Sequence, residues 1–186
     1  AAIQENERYR SLLDLRPKEQ EFDLESATVT ARSTSNWDNT LTISKGGSVG
    51  IEAGDCVVDQ YWNLVGVVAE VGENWAAVRT LIDSGTELGG QIARTGGAAI
   101  LEGDFALMGE GKLKLTYLPE NTELISGDLI TTSGRGGVYP PGLPAGHVEE
   151  VRTDASGMNR YAVLTPETDL AGLQQVFVIK DFEVVE

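Results

Sequence analysis

The side chains with most claim to chemistry in this chain are one histidine, one cysteine, a few close acidic pairs and one loop crowded with glycine and proline. His147 is the sole histidine, so a Ser-His-Asp triad would have to use it as general base. It sits in Pro144-Ala145-Gly146-His147-Val148, which reads as an ordinary strand histidine. Cys56 is the sole cysteine, which excludes an internal disulfide, and one thiol with one histidine makes no Cys/His metal cluster. Its neighbours Val57 and Val58 favour a buried structural thiol over a nucleophile. The pairs Glu149-Glu150 and Asp181/Glu183 are adjacent or alternate along expected strands. That pattern suits a solvated face better than an acid/base pair flanking a glycosidic bond.

The crowded loop is TSGRGGVYPPGLPAG, residues 132–146, with five glycines and three prolines. A phosphate-binding loop needs Gly-Lys-Ser/Thr at a helix start, where backbone N–H groups meet the phosphate. Here Arg135 is followed by two glycines and then by prolines. A hydrolase elbow needs Gly-x-Ser-x-Gly, and Ser133 has Thr131 two residues before it. The loop therefore reads as a stiffened connection, with glycines that permit positive φ and prolines that restrict its path. Its tip residues Tyr139 and Leu143 are candidate protein contacts, because a constrained aromatic loses little entropy on docking. Nothing in the chain points to catalysis, a metal or a cofactor.

Positioning these groups falls to short strands. A helical stretch comes first: over residues 1–16, Ala2, Asn6, Tyr9 and Leu13 follow the a/d rhythm of a coiled-coil seam, and Pro17 ends it. A charged linker, 17–26, follows. The period then changes to two, and apolar runs recur at 27–32, 40–45, 55–58, 64–71, 76–81, 91–93, 98–101, 112–118, 128–132, 145–151, 161–164 and 175–179, separated by Gly, Asp and Asn. That is the pattern of β-barrels or sandwiches.

A weak repeat runs through these strands. Ile51-Glu52-Ala53-Gly54-Asp55-Cys56-Val57-Val58 resembles Leu124-Ile125-Ser126-Gly127-Asp128-Leu129-Ile130-Thr131. Residues 64–71 resemble 144–151, with Gly66 matching Gly146, and 76–80 resemble 161–165. The three matches keep their order, which predicts two related β units. The spacing grows from 73 residues at the first match to 80 at the second, so the glycine-proline loop is an insertion relative to residues 59–63. Tyr61 and Trp62 in that shorter loop join the candidate contacts.

Composition narrows the function. Acidic residues number 29 against 14 basic in 186, a formal charge of −15, and no basic run offsets it. Such a field repels phosphate backbones, so nucleic acid is excluded as a partner. An apolar content of 41% suffices for a core. No stretch reaches the ~20 apolar residues of a membrane span. The chain opens without methionine and reads as a trimmed piece of a longer protein.

Several segments together resemble the MreC family of bacterial rod shape-determining proteins. They are Ala31-Arg32-Ser33-Thr34-Ser35-Asn36-Trp37-Asp38-Asn39-Thr40-Leu41-Thr42-Ile43, the turn 43–51, the helical piece 5–13, and 127–146, which holds the glycine-proline loop with Tyr139 before its first proline. The resemblance implies a mainly β fold: two small six-stranded β-barrels of related topology, preceded by a short N-terminal helix that ends a coiled coil. It suggests one barrel from residues 27–45 plus 107–186, with 46–106 inserted as the other.

It further implies a non-catalytic scaffold of the cell-wall elongation machinery. Such proteins are held by one membrane helix, face outside the cytoplasmic membrane, and self-associate as dimers or filaments. They bind a class B penicillin-binding protein and other rod-complex membrane proteins. Two alternatives stand beside this reading. One is a chymotrypsin-like protease relative using His147. The other is a carbohydrate-binding β module using Trp37, Trp62 and Trp75.

Overall fold

The structure is a computed structural model and describes residues 22–34, 38–119, 122–134 and 139–182. The helical seam of Ala2, Asn6, Tyr9 and Leu13 lies outside the described residues, as does Trp37. Among the described residues twelve strands form, each overlapping one of the twelve alternating or apolar runs, although the sixth begins four residues before its run at 91–93. They are β1 (Phe22–Thr34), β2 (Asn39–Ile43), β3 (Cys56–Val58), β4 (Leu64–Val71), β5 (Ala76–Thr80) and β6 (Glu87–Ile92), then β7 (Ala98–Glu102), β8 (Leu113–Thr116), β9 (Leu129–Thr132), β10 (Pro144–Thr153), β11 (Arg160–Pro166) and β12 (Gln175–Phe182). A short helix, Phe105–Met108, goes unsignalled by periodicity; Asp104 caps it by accepting hydrogen bonds from the N–H groups of Ala106 and Leu107 at 3.1 and 3.0 Å.

Strand β1 starts five residues earlier than its apolar pattern predicts, inside the segment read as a linker. The charges that disguise it are matched by lysines from other elements. Lys45 lies 3.0 Å from Glu25, and Lys180 lies 3.5 Å from Glu25 and 3.7 Å from Asp23.

The strands close into two antiparallel barrels. Around the first the order is β1-β12-β3-β4-β5-β2, and around the second β7-β6-β9-β10-β11-β8. The two orders are the same once β7 to β11 are set on β1 to β5. In each barrel five consecutive strands are closed by a sixth from outside the run. The first takes β12 and the second takes β6, as though two tandem six-strand units had exchanged their last strands.

This corrects the division suggested by the resemblance. The outer barrel is built from residues 22–80 and 175–182, and the inserted barrel from 87–166. Two crossovers, 81–86 and 167–174, join them. The ordered repeat locates β3-β4-β5 and β9-β10-β11, but it carries no information on which partner each closing strand takes.

The repeat reappears at the level of individual hydrogen bonds. Gly54 and Gly127 both have positive φ, 97° and 92°, and donate to Val68 O and Val148 O at 2.8 and 2.7 Å. The carboxylates of Asp55 and Asp128 accept from the N–H of the residue three before, Glu52 and Ile125, at 2.8 and 2.9 Å. The β4–β5 and β10–β11 ladders shift register at matching places, between Val68 and Glu70 and between Val148 and Glu150.

Two buried clusters fill the molecule. The outer barrel holds Ala27, Leu41, Ile43, Val57, Val65, Val68, Val78, Val176 and Val178. The second cluster spans the inserted barrel and continues onto Cys56, Val58, Leu64, Phe177 and Ile179 of the outer one. Alternate residues of β3 and β12 therefore face different cores. Both faces of these strands are buried, which is why Cys56-Val57-Val58 and Val176-Phe177-Val178-Ile179 read as unbroken apolar runs.

Candidate interaction surface at the barrel junction

The histidine, the cysteine and the Glu149-Glu150 pair are each held in a structural contact, while the side chains of Asp181 and Glu183 lie outside those described. His147 Nδ1 lies 2.8 Å from Glu167 Oε1, on the segment that returns to the outer barrel. Its cross-strand neighbours are Leu129 and Thr165. Cys56 is 1% exposed between the two cores. Burial first, then the nearby charge of Asp55, pushes its thiol up out of the range where thiolates form. Glu149 pairs with Lys112 at 2.7 Å, whose ammonium holds the carboxyl below its ordinary range, and Glu150 pairs with Arg152. Among the described residues no cluster of His, Cys, Asp and Glu could hold a metal ion.

The glycine-proline loop closes at its neck. Thr132 Oγ1 donates to Pro140 O at 2.6 Å and accepts from the Leu143 N–H at 3.0 Å. Gly134, with φ of 73°, leaves no room for a side chain: a Cβ there would stand 2.7 Å from the Pro141 Cβ. The neck draws the apolar residues inward. Leu143 is 1% exposed, so it is a core residue and not the surface contact that its place beside prolines suggested. Tyr139 is half-buried and packs against the cluster shared by the barrels. Desolvation, chiefly, pushes its hydroxyl pKa up to about 12, with Cys56 of the outer barrel a lesser cause. Tyr139 thus reaches from the inserted barrel toward the outer one.

The shorter loop of the outer barrel answers it from the other side. Asp59 organises this loop by accepting from the N–H groups of Tyr61 and Asn63 at 2.8 and 3.0 Å. Trp62 adopts a positive φ of 67° and is 2% exposed, packed in the shared cluster. It too is corrected from surface contact to core residue. A loop aromatic reads as exposed in sequence; here a second barrel covers it. Tyr61 alone of the four candidates stands clear, 57% exposed. It lines a groove of about 290 Å³ with Gln60, Glu167, Leu173 and Gln174. Trp75, on the tip between β4 and β5, is 44% exposed.

Beyond the junction, a cleft of about 780 Å³ is lined from both barrels and the return crossover, by Leu41, Ile82, Met108, Thr168 and Leu170 among others. Sequence reasoning missed it, because its walls come from segments far apart in the chain.

Comparison with known proteins agrees with this architecture. Residues 29–180 match the family model described as "Rod shape-determining protein MreC, barrel core". The chain is 32% identical over 161 residues to the cell shape-determining protein MreC of Geobacillus stearothermophilus, covering 82% of the chain and 55% of that protein. It is 30% identical over 182 residues to that of Listeria monocytogenes, covering 95% and 60%. The chain thus spans somewhat over half the length of these relatives.

Among solved structures, one titled "MreC" superposes with a TM-score of 0.81 at 27% identity, covering 96% of this chain and 99% of that one. Two more distant ones share the fold. One is the major periplasmic domain from the cell shape-determining filament MreC, with TM-score 0.71, 23% identity and coverage of 88% and 98%. The other is a complex between penicillin-binding protein PBP2 and MreC from Helicobacter pylori, with TM-score 0.64, 14% identity and coverage of 87% and 100%.

Proposed function

The chain belongs to the MreC family of rod shape-determining proteins, and on that premise we propose that it is a non-catalytic, extracytoplasmic scaffold of lateral cell-wall synthesis. It holds a class B penicillin-binding protein, self-associates, and meets other membrane proteins of the rod complex. In the cell it is anchored by a single membrane helix upstream of the two barrels. None of the helices among the described residues is long and apolar enough to cross a membrane.

One observation carries the reading: the groups able to do chemistry are spent on structure. His147 is tied to Glu167, Cys56 is buried between two cores, and the acids of β10 are paired with lysine or arginine. The surface keeps relief that includes the Tyr61 groove and the inter-barrel cleft. Two distant structural relatives, one in complex with PBP2 and one from a filament, fit a protein whose work is contact.

The test is a binding measurement between this chain and the class B penicillin-binding protein of the same cell. Saturable binding that Tyr61→Ala weakens is the expected result. No binding, by this chain or by the longer membrane-anchored protein, overturns the scaffold reading. Peptide hydrolysis by the pure chain that disappears in His147→Ala would instead establish an enzyme.

A further inference from the structure

We propose that a groove on the outer face of the inserted barrel binds a glycan chain, recognising its hydroxyl groups and stacking a sugar ring on Tyr117. The inference goes beyond the scaffold reading and takes from it only the setting, a surface beside a growing wall polysaccharide.

The groove has a volume of about 400 Å³, in the lower part of the ~300–1,000 Å³ typical of ligand clefts. Strand alternation builds it. Leu113 and Leu115 of β8 are buried in the core, so Lys114 and Thr116 between and after them face outward. Lys114 stands opposite Glu102 of β7 on one side and Val163 of β11 on the other, which sets Tyr161, two residues before Val163, on the same outward face. Tyr117 follows β8 directly, and Met158 comes from the turn between β10 and β11.

Two large side chains are presented to the outside. Tyr117 is 77% exposed and Met158 85%. Tyr117 also holds a positive φ of 56°, a conformation that a bulky residue adopts at a cost and that clusters at functional sites. Met158 adds an adaptable apolar contact beside it.

Donors and acceptors stand in fixed places around these groups. The ammonium of Lys114 lies 4.7 Å from the centre of the Tyr161 ring and makes no salt bridge among the described residues. Arg160 donates to the carbonyls of Pro119 and Thr122 at 3.4 and 3.2 Å, which ties down the chain leaving the groove. Glu102 accepts from Thr116 Oγ1 at 3.0 Å, and Asp154 accepts from the Ser156 N–H at 3.1 Å. A carboxylate offers about four acceptor positions, so both acids keep capacity to spare.

Charge selects the occupant. Lys114 and Arg160 balance Glu102 and Asp154 in the lining, and the chain as a whole carries −15, so nothing here attracts a polyanion. A protein surface laid over the groove would strip water from Lys114 and both acids, and would need a matched counter-charge for each. A sugar hydroxyl donates and accepts at once, so one kind of group meets ammonium and carboxylate alike. The face of a pyranose ring carries C–H groups that pack on an aromatic ring while its edge carries the hydroxyls, and Tyr117 offers such a ring among such partners. The groove owes nothing to the tryptophans of the carbohydrate alternative: Trp62 is a core residue and Trp75 belongs to the outer barrel.

Titration calorimetry of the whole chain with the neutral tetramer of β-1,4-linked N-acetylglucosamine tests this. Saturable binding is expected. Tyr117→Ala should weaken it by about tenfold or more, and Tyr117→Phe should retain it. Lys114→Met keeps the stem over Tyr161 but removes the donors, and should weaken binding several-fold; it repeats the test should Tyr117→Ala prove misfolded by circular dichroism. Tyr61→Ala, on the other barrel, should leave glycan binding unchanged. Absence of saturable binding overturns the proposal, and so does binding that Tyr117→Ala and Lys114→Met both leave intact. Tyr117→Ala that weakens binding to the penicillin-binding protein, in a chain that takes up no glycan, would make the groove a protein contact and overturns it too. The scaffold reading fails separately, by absent binding to the penicillin-binding protein in a chain that still binds the tetramer.

Discussion

Gly66 and Gly146 occupy the same place in the two barrels, each pressed against the backbone of the next strand. A Cβ on Gly66 would stand 2.0 Å from the Arg79 carbonyl oxygen, and one on Gly146 2.7 Å from that of Thr165. Both lie just before the register shift that lets a long, bent strand serve a small barrel. Since backbone cannot yield as a flexible side chain can, Gly66→Ala should destabilise the fold by about 3 kcal/mol or more, and Gly146→Ala by less. Chemical denaturation of the two variants beside Gly111→Ala, where a Cβ meets nothing within 4 Å but φ is 74°, separates the clash from the dihedral cost. Equal losses in all three would show that close approach is irrelevant.

Tyr139→Ala should lower stability by about 2 kcal/mol, short of a full core truncation because the ring is half-buried. Affinity for the penicillin-binding protein should stay the same. A clear loss of affinity with an unmoved melting temperature would mean that the ring is a partner contact and not a link between barrels.

Asp128 gives the fold an acid-sensitive point. A two-pronged hydrogen bond from Arg94, at 2.8 and 2.9 Å, chiefly holds its pKa below the ordinary carboxylate value, helped by the Ile125 N–H. A depressed folded pKa means stability that is present above the unfolded value, ~3.9, and lost as pH falls through the folded one. Asp128→Asn should therefore lower stability at neutral pH, and the gap from wild type should narrow as pH falls below about 4. Denaturant midpoints measured from pH 7 to pH 3 check this; a constant gap would refute it.

Cys56 should be inert in the native protein. Its thiol is 1% exposed and its pKa is raised by burial, so a thiol reagent at mildly alkaline pH should label it only after unfolding. Labelling at the rate of a free thiol under native conditions would mean that the barrels separate readily.

Much of the architecture was legible in the sequence because strands declare themselves locally. Alternating or short apolar runs bounded by Gly, Asp and Asn marked part of every strand, and the recurrence of Gly-Asp marked two equivalent turns. The linker assignment over 22–26 failed because Asp23 and Glu25 look like solvated charges until Lys45 and Lys180 are brought alongside. Candidate contacts fared unevenly for one reason. Tyr61 and Trp62 are neighbours in the same turn, yet one is 57% and the other 2% exposed. Their difference is set by a second barrel that is distant in sequence.

By itself, then, the sequence determined the element type, the two related units and the family likeness. These follow from side-chain period and residue identity, which are local properties. Tertiary structure alone decided which strand closes which barrel. It also decided that β3 and β12 are buried on both faces, and that Leu143 and Trp62 belong to a core while Tyr61, Tyr117 and Met158 face outward. Strand pairing is a long-range choice, settled by what each face can bury, and a chain that exchanges its closing strands leaves no local mark of having done so.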